Sequence, residues 1–529
     1  MNQNIHTALY YAAIVSLGGF LFGFDASVIS GVVGFVVRDF ALNDWGQGLV
    51  VSAPALAAVV AVMTVGPLSD AFGRKKMLTV VAFLYTFSAG ASALAPSFEV
   101  LVAARALGGL AFGSLILAPL YIAEMAPPAH RGRMVSMNQL NIVLGFSVAY
   151  FSNFLLLRVS TSEAAWVAML GLDTHVWRWM LGLEIVPALL FFGALFLIPE
   201  SPRWLVMTGR LEEARRVLAR VAPPERVEQV LAEVQASVAR SREQAGTRVR
   251  ELWHPALRLP LLVALVVAIT QQVTGVNAVY FYAPSIFEQS GVGTDAAFAQ
   301  AIWVGLINVV FTVVAMVLID RVGRKPLLVG GLAGVLVSMG VVAYGFHRAT
   351  YELTPEAAAS LPETVETVRL EPLIGVVYPN DVAYKQALRQ ALGERAMKDH
   401  EAALIQAAIR INPYVVLAGI LGFVASFAVS LGPVMWVLLS EIFPNRVRGL
   451  AISVITFFNS LVSFGVQFVF PWELAHLGSA GTFLLYGLFA GVGLVLVIWL
   501  LPETKNRSLE ELERFFAARA EGVSDTSPI

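Results

Sequence analysis

Residues 69–75 read Ser-Asp-Ala-Phe-Gly-Arg-Lys, and residues 319–325 read Ile-Asp-Arg-Val-Gly-Arg-Lys. Both stretches place an aspartate three residues before a glycine, which an Arg-Lys pair follows, and the two glycines lie 250 residues apart. Each stretch also lies between two apolar segments of roughly 20 residues, the length that crosses a membrane as a helix. The repetition therefore predicts a membrane protein built from two similar halves.

Two further motif pairs keep the same order along the chain. The first pair is separated by 317 residues and the second by 303 residues. The offset between paired motifs increases from 250 to 317 residues, which matches the size of an insert at 347–411. It then decreases by 14 residues, which matches a longer loop between the fifth and sixth apolar segments. One duplicated plan thus explains all three offsets. The pairs are Glu124 with Arg131-Gly132 against Glu441 with Arg448-Gly449, and Pro199-Glu200-Ser201 against Pro502-Glu503-Thr504.

The composition independently indicates a membrane protein. Of the 529 residues, 57% are apolar and only 14% are Asp, Glu, Lys or Arg, against about 25% charged residues in soluble domains. The net charge of −1 gives no indication of a nucleic-acid partner. The chain contains no cysteine, which excludes disulfides, thiolate metal sites and cysteine nucleophiles.

Twelve apolar segments are long enough to span a bilayer. The first segment lacks a cationic start in Met1–Thr7 and is longer than a signal-peptide core, so we interpret it as a retained helix. The predicted spans are 8–35, 48–69, 77–95, 101–123, 134–157, 179–198, 259–289, 297–319, 326–346, 412–439, 450–471 and 479–501.

Basic residues mark one face of the predicted bundle. The loops after spans 2, 4, 8 and 10 carry Lys or Arg, and they lie on the same side as residues 199–258 and the tail 502–529. By the positive-inside rule this side is cytoplasmic, and both termini are expected there. Short cytoplasmic helices are predicted within 199–258, at Leu211–Val221 and Arg226–Arg242.

Residues 347–411 fall on the opposite side and form a long insert. Asp381–Arg410 is predicted to be one amphipathic helix. A solvated cap without chemistry is the preferred interpretation of the insert, and a binding role is the alternative. The polar positions of the predicted helix carry Lys385, Arg389, Arg395 and Lys398.

The chain is therefore divided into a six-helix half at 1–198, a helical linker at 199–258, a second six-helix half at 259–501 that contains the insert, and a tail at 502–529. Parallel six-helix repeats are typical of transporters, which hold the substrate between the repeats near the middle of the membrane. A channel would not need the duplicated charged motifs.

The duplicated motifs place acids and arginines together at one end of each half. Lys and Arg alone are enough to set membrane topology, because Asp and Glu contribute little to it. The acids therefore favour a second role, in which Arg–carboxylate pairs latch the two halves together while the opposite face is open. The candidate residues are Asp70, Arg74, Glu124, Arg131, Glu200 and Arg203 in the first half, and Asp320, Arg324, Glu441, Arg448 and Glu503 in the second.

The motifs as spelled here resemble those of the sugar porter family of the major facilitator superfamily. The resemblance covers nearly the whole chain, and within the family it points to bacterial proton-linked symporters of the D-xylose type. It implies an all-α membrane protein with the major facilitator fold, twelve transmembrane helices in two six-helix halves. The matching stretches are Gly73-Arg74-Lys75, Arg105-Ala106-Leu107-Gly108-Gly109, Glu124-Met125-Ala126-Pro127, Pro199-Glu200-Ser201-Pro202-Arg203-Trp204-Leu205, Gln271-Gln272-Val273-Thr274-Gly275-Val276-Asn277, Gly323-Arg324-Lys325-Pro326, Gly432-Pro433 with Trp436, Ser440-Glu441-Ile442-Phe443-Pro444 and Pro502-Glu503-Thr504-Lys505.

Span 7 carries a cluster of amides, Gln271, Gln272 and Asn277, which are spaced to line one wall of a cavity. Polar side chains are costly inside a membrane, so each needs a partner or a purpose. An amide both donates and accepts hydrogen bonds, as a sugar hydroxyl does, and this wall has no charge that an ionic substrate would need. The alternative for each amide is a hydrogen bond between helices.

The resemblance implies further sugar contacts. They are Gln139 in span 5, Asn308 in span 8, Trp436 in span 10 and Asn459 in span 11, beside Gln271, Gln272 and Asn277. The chain departs from the family pattern twice. Phe146 stands where xylose-type symporters have a second glutamine, and the tryptophan that the family usually has beside the polar residue of span 11 is absent beside Asn459. Both departures concern which sugar is bound.

Asp25 lies inside span 1, where an unpaired carboxylate is costly. Arg105, at the start of span 4, is the natural counter-charge and matches the family's coupling arginine. Glu184 in span 6 is a second intramembrane acid that would tune this arginine. Because uncoupled members of the family commonly have asparagine at the Asp25 position, the aspartate favours coupling to a proton. The alternative is a purely structural Asp25–Arg105 pair.

We therefore expect a monomeric proton–monosaccharide symporter of a bacterial inner membrane, with a hexose or pentose as substrate and the lipid bilayer as its surroundings. The alternatives are an uncoupled sugar or polyol facilitator and a non-transporting sugar receptor. No nucleophile triad, metal cluster or phosphate loop occurs in the sequence, so we expect neither an enzyme nor a bound cofactor or metal.

Overall fold

A computed structural model describes residues 3–243, 249–444, 446–505 and 511 of the chain. Twelve helical segments among these residues are long and apolar enough to cross a membrane, which confirms the predicted number of spans. By span number, the helices are 1, Gln3–Asp39; 2, Asp44–Phe72; 3, Arg74–Ala93; 4, Phe98–Ala111 and Ser114–Met125; 5, Arg131–Ser160; 6, Val176–Gly182 and Ile185–Ala194; 7, Pro255–Val273, Val276–Phe281 and Ala283–Glu288; 8, Thr294–Val322; 9, Arg324–His347; 10, Pro413–Val429 and Leu431–Glu441; 11, Arg448–His476; and 12, Gly478–Leu500.

Spans 4, 6, 7 and 10 are each interrupted by a break in the helix. A break leaves backbone groups without partners inside the helix, and a membrane tolerates this only where protein or a water-filled cavity surrounds the break. In span 7 the first break follows directly after Gln271 and Gln272, at residues 274–275. The break therefore lies beside the amides that the sequence singled out.

The first charged motif forms a compact cluster around Arg74, whose side chain is 3% exposed. Its guanidinium pairs with Glu124 through two hydrogen bonds of 3.1 and 3.2 Å and with Asp70 at 2.8 Å. Glu200 accepts a hydrogen bond of 3.0 Å from the backbone N–H of Lys75. Gly73 has a φ of 105°, and a Cβ there would collide with the Glu200 carboxylate, which explains the glycine.

The second charged motif has the same arrangement. Arg324 pairs with Glu441 at 2.7 Å and with Asp320 at 3.4 Å. Glu503 accepts hydrogen bonds of 3.1 Å from the backbone N–H groups of both Arg324 and Lys325. The duplicated sequence thus folds into duplicated hydrogen bonds. We call the end of the bundle that carries both clusters the motif face.

The arginine–acid pairs described at the motif face join elements of the same half, and none of them joins one half to the other. Arg203 lies 3.8 Å from Glu124, which also belongs to the first half. Arg448 donates to the backbone carbonyl of Phe443 at 3.2 Å, and Arg131 is exposed. The latch between halves is therefore not formed in this conformation, and it stays a prediction for the opposite one.

The segment between the halves contains the two predicted helices, at Leu211–Val221 and Val227–Glu243. It also contains Pro202–Met207 and short 3-10 helices at Pro224–Arg226 and Val249–Trp253. Between spans 5 and 6 lies the short helix Ala165–Met169, and 3-10 turns occur at Pro128–His130 and Leu195–Leu197. Most of the predicted tail 502–529 lies outside the described residues.

The insert at 347–411 is a small folded unit with its own apolar core. A three-stranded antiparallel sheet, in the order β2-β1-β3, is formed by β1 (Thr350–Glu352), β2 (Val377–Tyr378) and β3 (Ile409–Arg410). The rings of Tyr351 and Tyr384 stack in the core with centroids 5.5 Å apart. The helices are Pro355–Ala359, Thr367–Leu373 (a 3-10 helix), Asp381–Leu392, Glu394–Asp399 and Glu401–Ala408.

The prediction of a single helix over Asp381–Arg410 was wrong. The segment forms three short helices, separated at Gly393 and His400, and ends in a strand. Lys385 is buried rather than solvated. Its charge is compensated there by Glu401, a carboxylate oxygen of which lies 2.8 Å from the Lys385 Nζ. Burial acts to raise the pKa of Glu401, but the charges of Lys385 and Lys398 and the hydrogen bonds from Lys385 and Gln289 together outweigh it and lower this pKa.

The two halves are in contact at the end of the bundle that carries the insert, which we call the insert face. The ring of Trp45, at the start of span 2, lies 5.2 Å from that of Phe468 and 6.2 Å from that of Trp472 in span 11. Arg158 at the end of span 5 lies 3.8 Å from Asp295 at the start of span 8. These contacts describe a conformation that is closed at the insert face.

The two charged clusters differ in burial, and this predicts unequal contributions to stability. Glu124→Ala would leave the buried Arg74 with the exposed Asp70 as its one carboxylate among the described residues, beside the backbone carbonyl of Ser69, and breaking a buried pair costs about 3–5 kcal/mol. Glu441→Ala should cost less, about 1 kcal/mol, because Arg324 and Glu441 are 12% and 26% exposed. Thermal unfolding in detergent measures both variants, and an equal or larger loss for Glu441→Ala would contradict the assignment.

Candidate functional site

The break in span 7 is centred on Gly275, which adopts a left-handed conformation with φ of 84°. A Cβ at this position would collide with the ring of Tyr486 in span 12, so both the conformation and the packing require glycine. The break separates the helix that carries Gln271 and Gln272 in its last turn from the helix that begins with Val276 and Asn277. It thereby brings the amides of the two helices together.

Four of the predicted amides, three in span 7 and Asn459 in span 11, form one hydrogen-bonded network. Asn277 Nδ2 donates to Gln272 Oε1 at 2.8 Å, and Gln272 Nε2 donates to Asn459 Oδ1 at 3.1 Å. Asn459 Nδ2 donates in turn to Gln271 Oε1 at 2.9 Å. Gln271 and Asn459 are also tied to backbone carbonyls of Leu431 and Ala268. The network therefore links spans 7, 10 and 11.

Span 11 contributes two further polar residues that the sequence analysis missed. Ser463 Oγ accepts hydrogen bonds from Asn277 Nδ2 at 2.7 Å and from Gln467 Nε2 at 2.9 Å. Asn459, Ser463 and Gln467 are spaced four residues apart, so they lie on one face of the helix. This spacing was a signal in the sequence, and with it the buried polar stripe of span 11 could have been predicted.

The hydrogen bonds within the network fix which atoms stay available to a ligand. Gln272, Asn277 and Asn459 each donate two hydrogen bonds from the side-chain nitrogen to protein acceptors. Within the described residues nothing donates to Asn277 Oδ1, and Asn277 is only partly buried. The network thus presents mainly oxygen acceptors, at the end where Asn277 lies.

The other predicted contacts do not bond to the network. Gln139 is partly exposed, and it lies two helical turns from Phe146, whose ring packs against Tyr280 of span 7 with centroids 5.2 Å apart. Asn308 is buried on the side of span 8 where Gly305 packs against span 5. Trp436 is 45% exposed and follows Met435, whose sulfur lies 3.8 Å from Asn459.

The first half holds a buried ion pair. Asp25 Oδ1 in span 1 lies 2.6 Å from Arg105 Nη1 in span 4, and each residue is 3% exposed. Such a pair is stable in a membrane because each charge compensates the other. Removing one charge leaves the other buried without a counter-charge, which is costly. Protonation of Asp25 would therefore release Arg105 from its partner.

Glu184 is equally buried, at 3% exposure, and it occupies the break between the two helices of span 6. It lies close enough to interact electrostatically with Asp25 and Arg105. In the described part of the chain Arg105 forms an ion pair with Asp25 alone, and both Glu184 Oε1 and Arg105 Nε have no hydrogen-bond partner. The three residues are thus brought together, with two unsatisfied polar atoms between them.

Aromatic residues connect the two halves between these sites. Phe146 of span 5 packs against Tyr280 and Phe281 of span 7, and Tyr150 donates a hydrogen bond of 2.5 Å to the backbone carbonyl of Tyr280. The region thus couples the amide network in the second half to helices of the first. Within the described residues, no group of three or more His, Cys, Asp or Glu is placed to hold a metal ion.

Comparison with known protein families shows to which family the chain belongs. The model of the family described as sugar (and other) transporter matches residues 11–359 and 400–516. The chain belongs to the sugar porter family of the major facilitator superfamily. This sugar porter is therefore a multi-pass membrane protein with the major facilitator fold, and its family consists of transporters rather than enzymes. Residues 360–399, within the insert, lie outside the match.

Several proteins of known or assigned function are similar to this sugar porter over nearly its full length. The arabinose-proton symporter of Bacillus subtilis is 35% identical, with 94% of this chain and 93% of the relative covered. The D-xylose-proton symporter of Escherichia coli is 31% identical with full coverage of both chains. A structure of the xylose transporter XylE from E. coli, in a partially occluded inward open conformation, matches with a TM-score of 0.72 at 28% identity, covering 95% of this chain and all of that one.

Asn459 holds Gln271 and Gln272 in place, so Asn459→Ala is expected to weaken sugar binding at least tenfold. It removes three hydrogen bonds within the protein that fix the two glutamines. If the freed glutamines then form one sugar hydrogen bond fewer, the loss of about 1.4 kcal/mol corresponds to a factor of ten. Calorimetry with the best-bound sugar of a pentose and hexose panel measures the change. The control is Asn141→Ala, which removes an amide bonded only within the first half. A change below twofold for Asn459→Ala would contradict the assigned role.

Proposed function

We propose that this sugar porter carries a monosaccharide, a pentose or hexose, together with a proton across a bacterial inner membrane by alternating access. The single observation that carries the proposal is the combination of two buried sites. A network of neutral amides lies in the second half, and a carboxylate–arginine pair lies in the first. The names of the arabinose- and xylose-proton symporters, which are similar over more than 90% of the chain, agree with it.

The amide network supports a neutral polyhydroxyl substrate. Its described members are Gln271, Gln272, Asn277 and Asn459, and none of them carries a charge that would hold an anion or cation. Gln139, Asn308 and Trp436 are proposed to complete the site from the facing helices. Five to eight hydrogen bonds at roughly 0.5–1.5 kcal/mol each give about 3–10 kcal/mol before ordering costs, which suits a ligand that must also leave.

Asp25, Arg105 and Glu184 are proposed to couple sugar movement to the proton. Burial disfavours the charged form of Asp25, and Arg105 at 2.6 Å favours it, so a conformational change that alters either would load or release a proton. One charge moving through about 150 mV supplies about 3.5 kcal/mol, which corresponds to roughly 300-fold accumulation.

We propose that the motif face is cytoplasmic, as the positive-inside rule requires, and that the insert face is extracytoplasmic. In this orientation the linker between the proposed halves, 1–198 and 259–501, lies on the cytoplasmic side. The motif-face arginines and acids are then positioned to pair across the halves when the insert face opens. A monomer suffices, because each chain contains both proposed sites.

Two alternatives use the same sites differently. An uncoupled sugar or polyol facilitator would keep the amide network and use Asp25–Arg105 only as a structural pair. A non-transporting sugar receptor would bind sugar without moving it. Purified protein in proteoliposomes distinguishes them, with a panel of hexoses, pentoses and polyols measured with and without a pH gradient. Gradient-dependent accumulation supports symport, gradient-independent equilibration supports a facilitator, and binding without uptake supports a receptor.

Asp25→Asn tests the coupling directly. The variant keeps the size of the side chain and removes the ionisable group, so sugar-driven alkalinisation should be abolished while sugar counterflow continues. External pH recorded on sugar addition measures the first, and exchange of labelled sugar measures the second. Concentrative uptake by the variant would show that coupling does not run through Asp25.

A further inference from the structure

The insert is fixed to the last six spans by buried polar contacts. Asp381 accepts hydrogen bonds from the backbone N–H and the hydroxyl of Ser479, at the start of span 12, at 2.8 and 2.9 Å. Glu401 is paired with Lys385 at 2.8 Å and accepts a hydrogen bond of 3.1 Å from Gln289, just after span 7. The folded insert therefore moves with the second half.

One residue of the insert reaches the opposite half. Lys398 Nζ donates to the backbone carbonyl of Leu42 at 3.1 Å and lies 3.3 Å from Asp44 Oδ1. Leu42 lies in the turn between spans 1 and 2, and Asp44 is the first residue of span 2, so both belong to the first half. The side chains of Lys398 and Asp44 are only 14% and 24% exposed, so water screens the pair weakly.

This contact does not belong to the shared family pattern. The family match stops at residue 359 and resumes at residue 400, so Lys398 and the helix Glu394–Asp399 that carries it lie in the unmatched segment. The family model thus describes a transporter without this segment. Its placement across the closed insert face therefore calls for a role specific to this chain.

We propose that the insert is a strap that holds the insert face closed through Lys398, and so favours the conformation described here. The inference rests on the proposed alternating access. When the insert face opens, the segment Leu42–Asp44 must separate from the insert, which stays with the second half. Lys398 then loses a carbonyl and a carboxylate. Among its described ion pairs it keeps the one with Glu394, which is 60% exposed and 3.4 Å away, beside a longer-range interaction with Glu401.

The natural absence of cysteine makes the strap directly measurable, because labels attach only where a cysteine is introduced. Spin labels on Ser162→Cys, after span 5, and Leu477→Cys, after span 11, report the separation of the halves at the insert face. Both positions are exposed. Lys398→Met should raise the long-distance population at least threefold. The matched control is Arg395→Met, which removes an exposed cation from the same helix and should leave the distances unchanged.

Charge reversal and cross-linking complete the test. Lys398→Glu combined with Asp44→Lys restores the ion pair but not the hydrogen bond to the Leu42 carbonyl, so it should return the long-distance population only part of the way to that of the unmodified protein. A reducible bifunctional thiol reagent joining Lys398→Cys to Asp44→Cys should lower sugar exchange at least tenfold, and reductant should restore it in the same sample, so misfolding cannot explain the loss. Unchanged distances in Lys398→Met, or full exchange in the cross-linked protein, would overturn the strap. The spin-label result needs no sugar, so failure of transport in the unmodified protein would count against the proposed function and not against the strap.

Discussion

The cost of an unpartnered polar group in a membrane governs this structure. A carboxylate, guanidinium or amide away from water must find its hydrogen bonds within the protein. Arg74 and Arg324 are each enclosed by carboxylates, Asp25 by Arg105, and the amides of spans 7 and 11 by one another. Each of these ion pairs and hydrogen bonds joins two helices at a fixed position. The same groups are therefore the places where a change of charge or partner could move one helix against another.

Features that depend on length and composition were predictable from the sequence. Apolar segments long enough to span a bilayer gave the twelve spans, and repeated motifs gave the two halves. The amides of span 7 were predictable because they are close in sequence on one helix. The polar stripe of Ser463 and Gln467 was also predictable, because these residues follow Asn459 at intervals of four on one face of span 11. Their hydrogen-bond partners were not, because these depend on how span 11 packs against span 7.

The insert shows where sequence patterns fail. The charges of residues 381–410 have a helical period, and yet the segment divides into three helices and a strand. Its course is set by long-range contacts, such as those of Asp381 with Ser479 and Lys385 with Glu401, which no local pattern encodes. The partner of Lys398 lies more than 350 residues away in the chain. Likewise, the arginine–acid pairs of the motif face were predictable, whereas their restriction to one half depends on the conformation.

The orientation of the amides has a consequence for chemical selectivity. Because most side-chain N–H groups of the network are already donated within the protein, a carbohydrate at the proposed site would meet mainly carbonyl oxygens near Asn277. Such a surface favours hydroxyl groups that donate a hydrogen bond. Fluorine can only accept a hydrogen bond and a methyl ether has no hydrogen to donate, so fluorinated and O-methylated analogues would be poor replacements for the hydroxyl they substitute. The pattern of tolerated analogues would then map, position by position, which hydroxyl points at Asn277.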